Sequence, residues 1–360
     1  MAVVVNLAGA YAADIAAGIS PLAEMMSCLH AIVEPEHHLE TQPWLRHARS
    51  TMTPGLQNAV RHYAPLWARR RCRLLLPLDL PLGQSLDEEV GRLDKLPLHQ
   101  FIEIAAEAVH GGGYPVAGLA SHPERHQAFI ASCERRSFQR AELARTILED
   151  PEAVRSSLAE FFFQCETEFF HTEWLRIEHR LEAECAQVRA RARVLQPAEL
   201  IASLSPNAEV RHDPVSVSFD KLQTLTVNLN KRRCLLVPSV HNRPHLIVKD
   251  LPGLPVVIHF PVENAQPVES ITPEQARARL AALAEPSRLA ICRHLVNEAI
   301  TTTELAERTG MTQPQVSRHL AHLREVDLLL SRREGRMVYH RLDVQRFRHL
   351  GVDVLLAIVQ

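Results

Sequence analysis

The stretch 309-TGMTQPQVSRHLAHLREVDLL-329 starts a helix abruptly and leaves most of its surface polar. Thr312 has the side chain of an N-cap, and Pro314 falls in the first turn, where its missing N–H loses no hydrogen bond. Helical spacing puts Val316, Leu320 and Leu323 on one narrow face. Gln315, Ser317, Arg318 and His322 lie on the other sides, with Gln313 at the tip. A start fixed this firmly suits a turn that must be placed accurately against something outside the protein. These side chains also suit the major groove of duplex DNA, where Arg bridges guanine O6/N7 and Gln pairs with adenine N6/N7.

The flanking sequence extends the pattern. In "TTTELAERTG" (301–310), Thr supplies a cap, Glu304 sits in the first turn and Gly310 ends the helix. Two short helices joined by a tight Gly-containing turn make a helix-turn-helix. Upstream, "TPEQARARLAALA" (272–284) has Thr272 as N-cap and Pro273 at the first helical position. "EPSRLAICRHLV" (285–296) reads as a further helix, with Leu289, Cys292 and Leu295–Val296 expected to face inward. Downstream, "LLLSRREGRMVYHRLD" (328–343) is a hairpin with "EG" at its tip and Val338 and Tyr339 in the return strand. Arg332, Arg333 and Arg336 crowd that tip, as in a wing that rests on phosphates or in the minor groove. The last stretch, "DVQRFRHLGVDVLLAIVQ" (343–360), is too apolar for a free surface helix. It is expected to pack on the first helix of this module or on a twin subunit.

Residues 271–349 resemble an ArsR-type winged helix-turn-helix. The resemblance rests on "LAEPSRLAICRHL", "TTTELAERTGMTQPQVSRHLAHLRE" and "RREGRMVYHRL", which agree with that family in order and spacing. It implies a homodimeric, sequence-specific transcriptional regulator whose first and last helices build the dimer interface. Two departures stand out. Where the family often has Gly after the recognition helix, this chain has Asp327, a residue that tolerates the left-handed conformation. Where metal-sensing members have a Cys-containing run, this chain has "TELAERTG", so the resemblance does not extend to sensing arsenic or a similar soft metal. Further upstream, "ISPLAEMMSCLHAIVEPEHH…PWLRHAR" (19–49) resembles a helical region of unknown role ahead of ArsR-type modules in some actinobacterial regulators.

Length and composition fit this frame. The chain has 360 residues, room for two or three domains, with 46% apolar and 23% charged residues. The net charge of −2 hides an asymmetry: residues 271–360 hold 13 Arg against 10 acids, and residues 308–348 hold nine Arg against four acids. That favours an anionic partner for the C-terminal end. Only Lys95, Lys221, Lys231 and Lys249 are lysines, so phosphate or base contacts fall to guanidinium groups. The seven Cys are scattered, with no CxxC pair, which argues against a disulfide framework and suits a reducing cytoplasm. The apolar start, "MAVVVNLAGAYAADIAAGIS", lacks the basic segment of a secretion signal, and no run approaches the roughly 18 uncharged apolar residues of a membrane span.

The expected fold class is α+β: a mainly helical domain over 1–200, a strand-rich segment over 201–265 packing with it, and the winged helix over 271–360. "PEAVRSSLAEFFFQCETEFFHTEWLRIEHRLEAECAQVRARARVL" (151–195) is the clearest helical stretch. "LTVNLNKRRCLLVPSV", "HLIVKD" and "LPVVIHF" read as strands, and "PVENAQPVES" (261–270) as a linker.

Other chemistry is weaker in the sequence. Twenty His invite a metal reading, and Glu168 and His171 have the i, i+3 spacing of helical carboxylate–His sites. A second helical Glu-x-x-His is not evident, since Pro35 interrupts Glu34–His37. "HNRPH" (241–245) and His259 flank strands and could line a pocket, although isolated His are more often structural. "HGGGYP" (110–115) is expected to be a flexible turn, and hydrolase, P-loop and dinucleotide signatures are absent. The sequence therefore assigns no catalytic residue, metal ligand or cofactor. Its DNA-contacting set is Thr312, Gln313, Gln315, Ser317, Arg318 and His322, with Arg332, Arg333 and Arg336 from the wing. The expected partners are an inverted-repeat operator, a second copy of the chain and a small effector held by residues 1–265. The alternative is an enzyme or protein-interaction module over 1–265, with the winged helix as an accessory.

Overall fold

The computed structural model describes residues 2–38, 42–205, 208–221, 224–243, 245–262, 272–296, 298–335, 337–343, 346–347 and 350. The chain forms two compact units, residues 1–265 and 266–360.

In the first unit the strands are β1 (Ala2–Asn6), β2 (Ile15–Ala17), β3 (Ala208–His212), β4 (Val215–Asp220), β5 (Leu225–Asn228), β6 (Cys234–Ser239), β7 (Ile247–Lys249) and β8 (Val256–Pro261). Its helices are α1 (Pro21–Val33), α2 (Gln42–Thr51), α3 (Pro54–Tyr63), α4 (Leu86–Lys95), α5 (Leu98–His110), α6 (His126–Glu134), α7 (Phe138–Glu149), α8 (Pro151–Cys165), α9 (His171–Ala192) and α10 (Pro197–Ala202). The strands build two four-stranded sheets, ordered β3-β4-β1-β5 and β2-β6-β8-β7. In the second sheet, β2, β6 and β8 run parallel, and β7 closes the edge antiparallel to β8.

Both sheets use strands from the first 20 residues, which the sequence reading assigned to a helical region. Ala2–Asn6 pairs with β4 and β5, and Ile15–Ala17 pairs with β6. The physical reason is the run Val3-Val4-Val5, whose β-branched side chains suit a pleated surface once distant partners arrive. Strand β6 is buried on both faces, as parallel strands generally are. Leu235 and Val237 join the helical core, while Cys234 and Leu236 join the core shared with β1, β4 and β5. All seven Cys are buried and unpaired.

The long helical stretch forms, with a π-helical segment at Glu166–Phe170 between α8 and α9. Glu168 lies in that segment. Its carboxylate accepts from the backbone N–H of Thr53 at 2.7 Å and from the Thr53 hydroxyl at 3.0 Å, at the N-cap of α3. It thus serves a helix terminus, where negative charge is favoured, and His171 is exposed. Pro35–His37 forms a 3₁₀ turn. "HGGGYP" is a hydrogen-bonded helix stop rather than a loose turn. Gly111 caps α5 in the left-handed region at φ 82°, and His110 Nδ1 donates to the Gly112 carbonyl at 2.9 Å.

A buried ionic group lies just beyond the C-terminal end of β6. His241, 2% exposed, stands between two carboxylates: Nδ1 is 2.7 Å from Glu24 of α1, and Nε2 is 3.2 Å from Glu173 of α9. The same Glu24 oxygen accepts the backbone N–H groups of Val240 and His241. With acceptors at both ring nitrogens, the imidazole is a cation. Burial opposes that charge, but Cys28, Glu173 and Glu24 together outweigh it and hold His241 well above its ordinary value of 6.5. Glu24 is held below its ordinary value of 4.5, burial being outweighed by its bonds to His241.

Removing one partner of such a group strands the other charges in a dry interior. His241→Gln should destabilise the first unit by about 3–5 kcal/mol. Trp44, Trp67 and Trp174 all lie in this unit, so tryptophan fluorescence during urea unfolding of the full chain checks it. The pH dependence has a defined sign. The His241 contribution is complete below 6.5 and is lost as pH rises through the raised value; the Glu24 contribution is present above 4.5 and is lost as pH falls.

Candidate nucleic-acid interface

The second unit contains α11 (Pro273–Ala284), α12 (Pro286–Leu295), β9 (Ile300–Thr301), α13 (Thr302–Thr309), α14 (Gln313–Glu325), β10 (Leu329–Glu334) and β11 (Met337–Leu342). The strands form one antiparallel sheet ordered β10-β11-β9. Val316, Leu320 and Leu323 of α14 pack on Ile291, Cys292 and Leu295 of α12, with Leu305 of α13 and Leu328–Leu329 completing the core. Leu289 and Val296, expected inside, are 47% and 39% exposed. At about 100° per residue, the inward stripe of α12 passes through Ile291, Cys292 and Leu295, and Leu289 falls on the far side.

Both ends of the reading helix are set by backbone geometry. α13 stops at Gly310 in the left-handed region, φ 69°, and the chain re-enters helix at Thr312, whose ψ of 151° is extended. Thr312 and Gln315 form a capping box: Gln315 Oε1 accepts the Thr312 backbone N–H and the Thr312 hydroxyl, each at 2.9 Å. At the other end, Asp327 takes φ 59°, the left-handed position the sequence reading gave it. Arg279 of α11 donates to the Val326 carbonyl at 3.0 Å, and His319 of α14 faces Glu285, the N-cap of α12, at 3.6 Å.

The sequence-derived residues sit as follows. Thr312, Gln313, Gln315, Ser317, Arg318 and His322 are all exposed on α14 or its cap. Gln313 donates from Nε2 to Thr303 at 3.3 Å, tying the tip of α14 to α13. His322 Nδ1 lies 3.2 Å from Glu325. Arg318 makes no hydrogen bond or ion pair among the described residues. For bidentate pairing with adenine, Gln315 would use the same Oε1 that holds the cap. Its amide N–H groups remain for an acceptor on a base or phosphate.

The wing forms as a hairpin with Glu334 opposite Met337 and Gly335 at its tip, φ 61°. Arg332 and Arg333 are exposed on β10. Arg336 and the terminal run 351–360 lie outside the described residues. The sequence reading missed the anchor of this wing. His340, 3% exposed, receives or donates hydrogen bonds at Thr302 (3.2 Å) and Ser331 (2.9 Å), and β11 also pairs with β9. Burial, with a smaller effect of Arg324, holds His340 below its ordinary value. The signal was present in "MVYHRL", where His occupies an inward position of an alternating strand.

Comparison with known proteins divides the chain in the same way. Residues 1–266 match the model of a family of unknown function, DUF5937, and residues 283–332 match a helix-turn-helix domain model. The HTH-type transcriptional regulator KmtR of Mycobacterium tuberculosis is 36% identical over 73 residues, 20% of this chain and 56% of that protein, so this chain spans little more than half of its length. The HTH-type transcriptional regulator CmtR of Mycobacterium bovis is 40% identical over 89 residues, 24% of this chain and 75% of that protein. Among solved structures, the homodimeric winged helix-turn-helix DNA-binding domain Mb0332 of Mycobacterium bovis has 31% identity and a TM-score of 0.20, covering 24% of this chain and 76% of that one.

The turn between the two helices yields a direct test. Nothing stands within 4 Å of a Cβ added at Gly310, so Gly310→Ala isolates the backbone strain. It should cost about 1–2 kcal/mol. In the full chain, amide exchange across residues 302–325 should accelerate by roughly tenfold while the first unit is unaffected.

Proposed function

We propose that this chain, which belongs to the DUF5937 family and ends in a DNA-binding winged helix-turn-helix of the ArsR family of transcriptional regulators, acts as a homodimeric repressor on an inverted-repeat operator. The observation that carries the reading is Arg318, an exposed guanidinium without a partner among the described residues, on a helix whose start is fixed by a capping box. Ser317, Gln313 and His322 accompany it toward base edges, Thr312 and Gln315 lie at the helix start beside the phosphate backbone, and Arg332, Arg333 and Arg336 hold backbone or minor groove. Two α14 helices one helical turn apart would then enter successive major grooves.

Support for the dimer comes from apolar side chains left outside. Leu280 on α11 is 45% exposed and Leu289 on α12 47%. Such a surface is covered in a regulator whose first and last helices pair. The first unit takes the effector-sensing role in this scheme: a ligand there shifts DNA affinity to the extent that it distinguishes two states of the dimer.

Footprinting with purified protein at two salt concentrations tests the assignment. Arg318→Ala should weaken operator binding by about 1–3 kcal/mol and relax discrimination at one base pair. Arg332→Ala should weaken binding uniformly across sequences and flatten the salt dependence. Wild-type affinity and selectivity in Arg318→Ala would refute the orientation of α14.

A further inference from the structure

We propose that His30, His38 and His245 form a site for a divalent transition-metal ion inside the first unit. One ring nitrogen from each lies within 4.8 Å of the other two. Their ring centroids are 5.0, 5.5 and 5.5 Å apart, with interplanar angles of 78°, 78° and 68°, so the three imidazoles meet edge to face around a common point. His30 and His38 are each 2% exposed, and His245 is partly buried.

The orientation of His30 is that of a ligand. Its Nδ1 lies 3.0 Å from the Trp67 carbonyl, which can only accept, so Nδ1 carries the proton. Nε2 is therefore an acceptor, and it is buried without a hydrogen-bond partner. A backbone carbonyl holding the far nitrogen is the usual device for fixing a metal-bound imidazole. Three neutral imidazoles with a fourth position left to solvent or an anion suit Zn²⁺, and also Co²⁺ or Ni²⁺. At a metal–nitrogen length of about 2.0–2.1 Å, tetrahedral ligands stand about 3.3 Å apart, so the trio has to close by about 1.5 Å at most, within the reach of side-chain rotation.

The position and the alternatives favour this group. His30 sits on α1, His38 follows the turn after it, and His245 lies in the loop leaving β6, at the C-terminal end of parallel strands where α/β sheets collect ligands. The neighbouring set Glu24, Cys28 and His241 has comparable spacing, but both nitrogens of His241 already face carboxylates. Buried Arg71 opposes a cation near His30, and Glu34 partly offsets that charge. No residue of the winged helix contributes, so the site stands whether or not the DNA-binding reading does.

The test is Co²⁺ titration of the full chain, stripped with chelator, followed by Zn²⁺ competition against a chromogenic chelator. The expected result is one equivalent of Co²⁺ per chain with the visible ligand-field absorption of a four-coordinate site, displaced by Zn²⁺. His38→Gln and His245→Gln should each weaken Zn²⁺ at least tenfold, the comparison being made under conditions where the metal-free tryptophan unfolding of each variant shows a folded baseline. His171→Gln, a surface change, should leave the affinity as it was. No metal uptake by the wild-type chain overturns the proposal. So does full affinity in both His38→Gln and His245→Gln.

Discussion

Val316, Leu320 and Leu323 give α14 a single apolar stripe, and the core of the second unit is built against that stripe. A helix gripped on one side keeps its remaining surface for another molecule, but it can roll or slide unless its ends are fixed. The ends are fixed by chemistry that leaves the outer surface clear. Gly310 and Asp327 supply left-handed turns before and after it, and Thr312 with Gln315 closes its first turn. The wing is attached by the same logic, through a neutral imidazole at His340 that bridges α13 and β10.

What was legible in the sequence was whatever a few neighbouring residues decide. Thr312 with Pro314, the stop at Gly310 and the hairpin turn at Gly335 each act within four or five residues, so their geometry follows from their identities. Asp327 belongs with them, since its short polar side chain tolerates a positive φ. The partners of β1 lie more than 200 positions away in β4 and β5, and its five residues carry no local signal that outweighs the helical texture around them. β9, two residues long, has no detectable period at all. Leu289 shows a further limit: an apolar residue in a helix is visible, but the face it occupies depends on where that helix begins.

The histidines make the same point for chemistry. Sequence spacing drew attention to Glu168 and His171, one turn apart, yet Glu168 serves the N-cap of α3. Residues 30, 38 and 245 have no spacing to notice, and they meet because β6 delivers its following loop against α1. Parallel strands place their outgoing loops at one edge, and polar side chains carried on those loops converge there. A sheet buried on both faces leaves few other places for them, so the first unit gathers His241, Glu24 and Glu173 at the same edge.

Arg279 reaches from α11 to the carbonyl of Val326, the C-cap of α14, where it takes the role that solvent plays at most helix ends. One hydrogen bond therefore links the residue that closes α14 to the helix that carries the exposed Leu280.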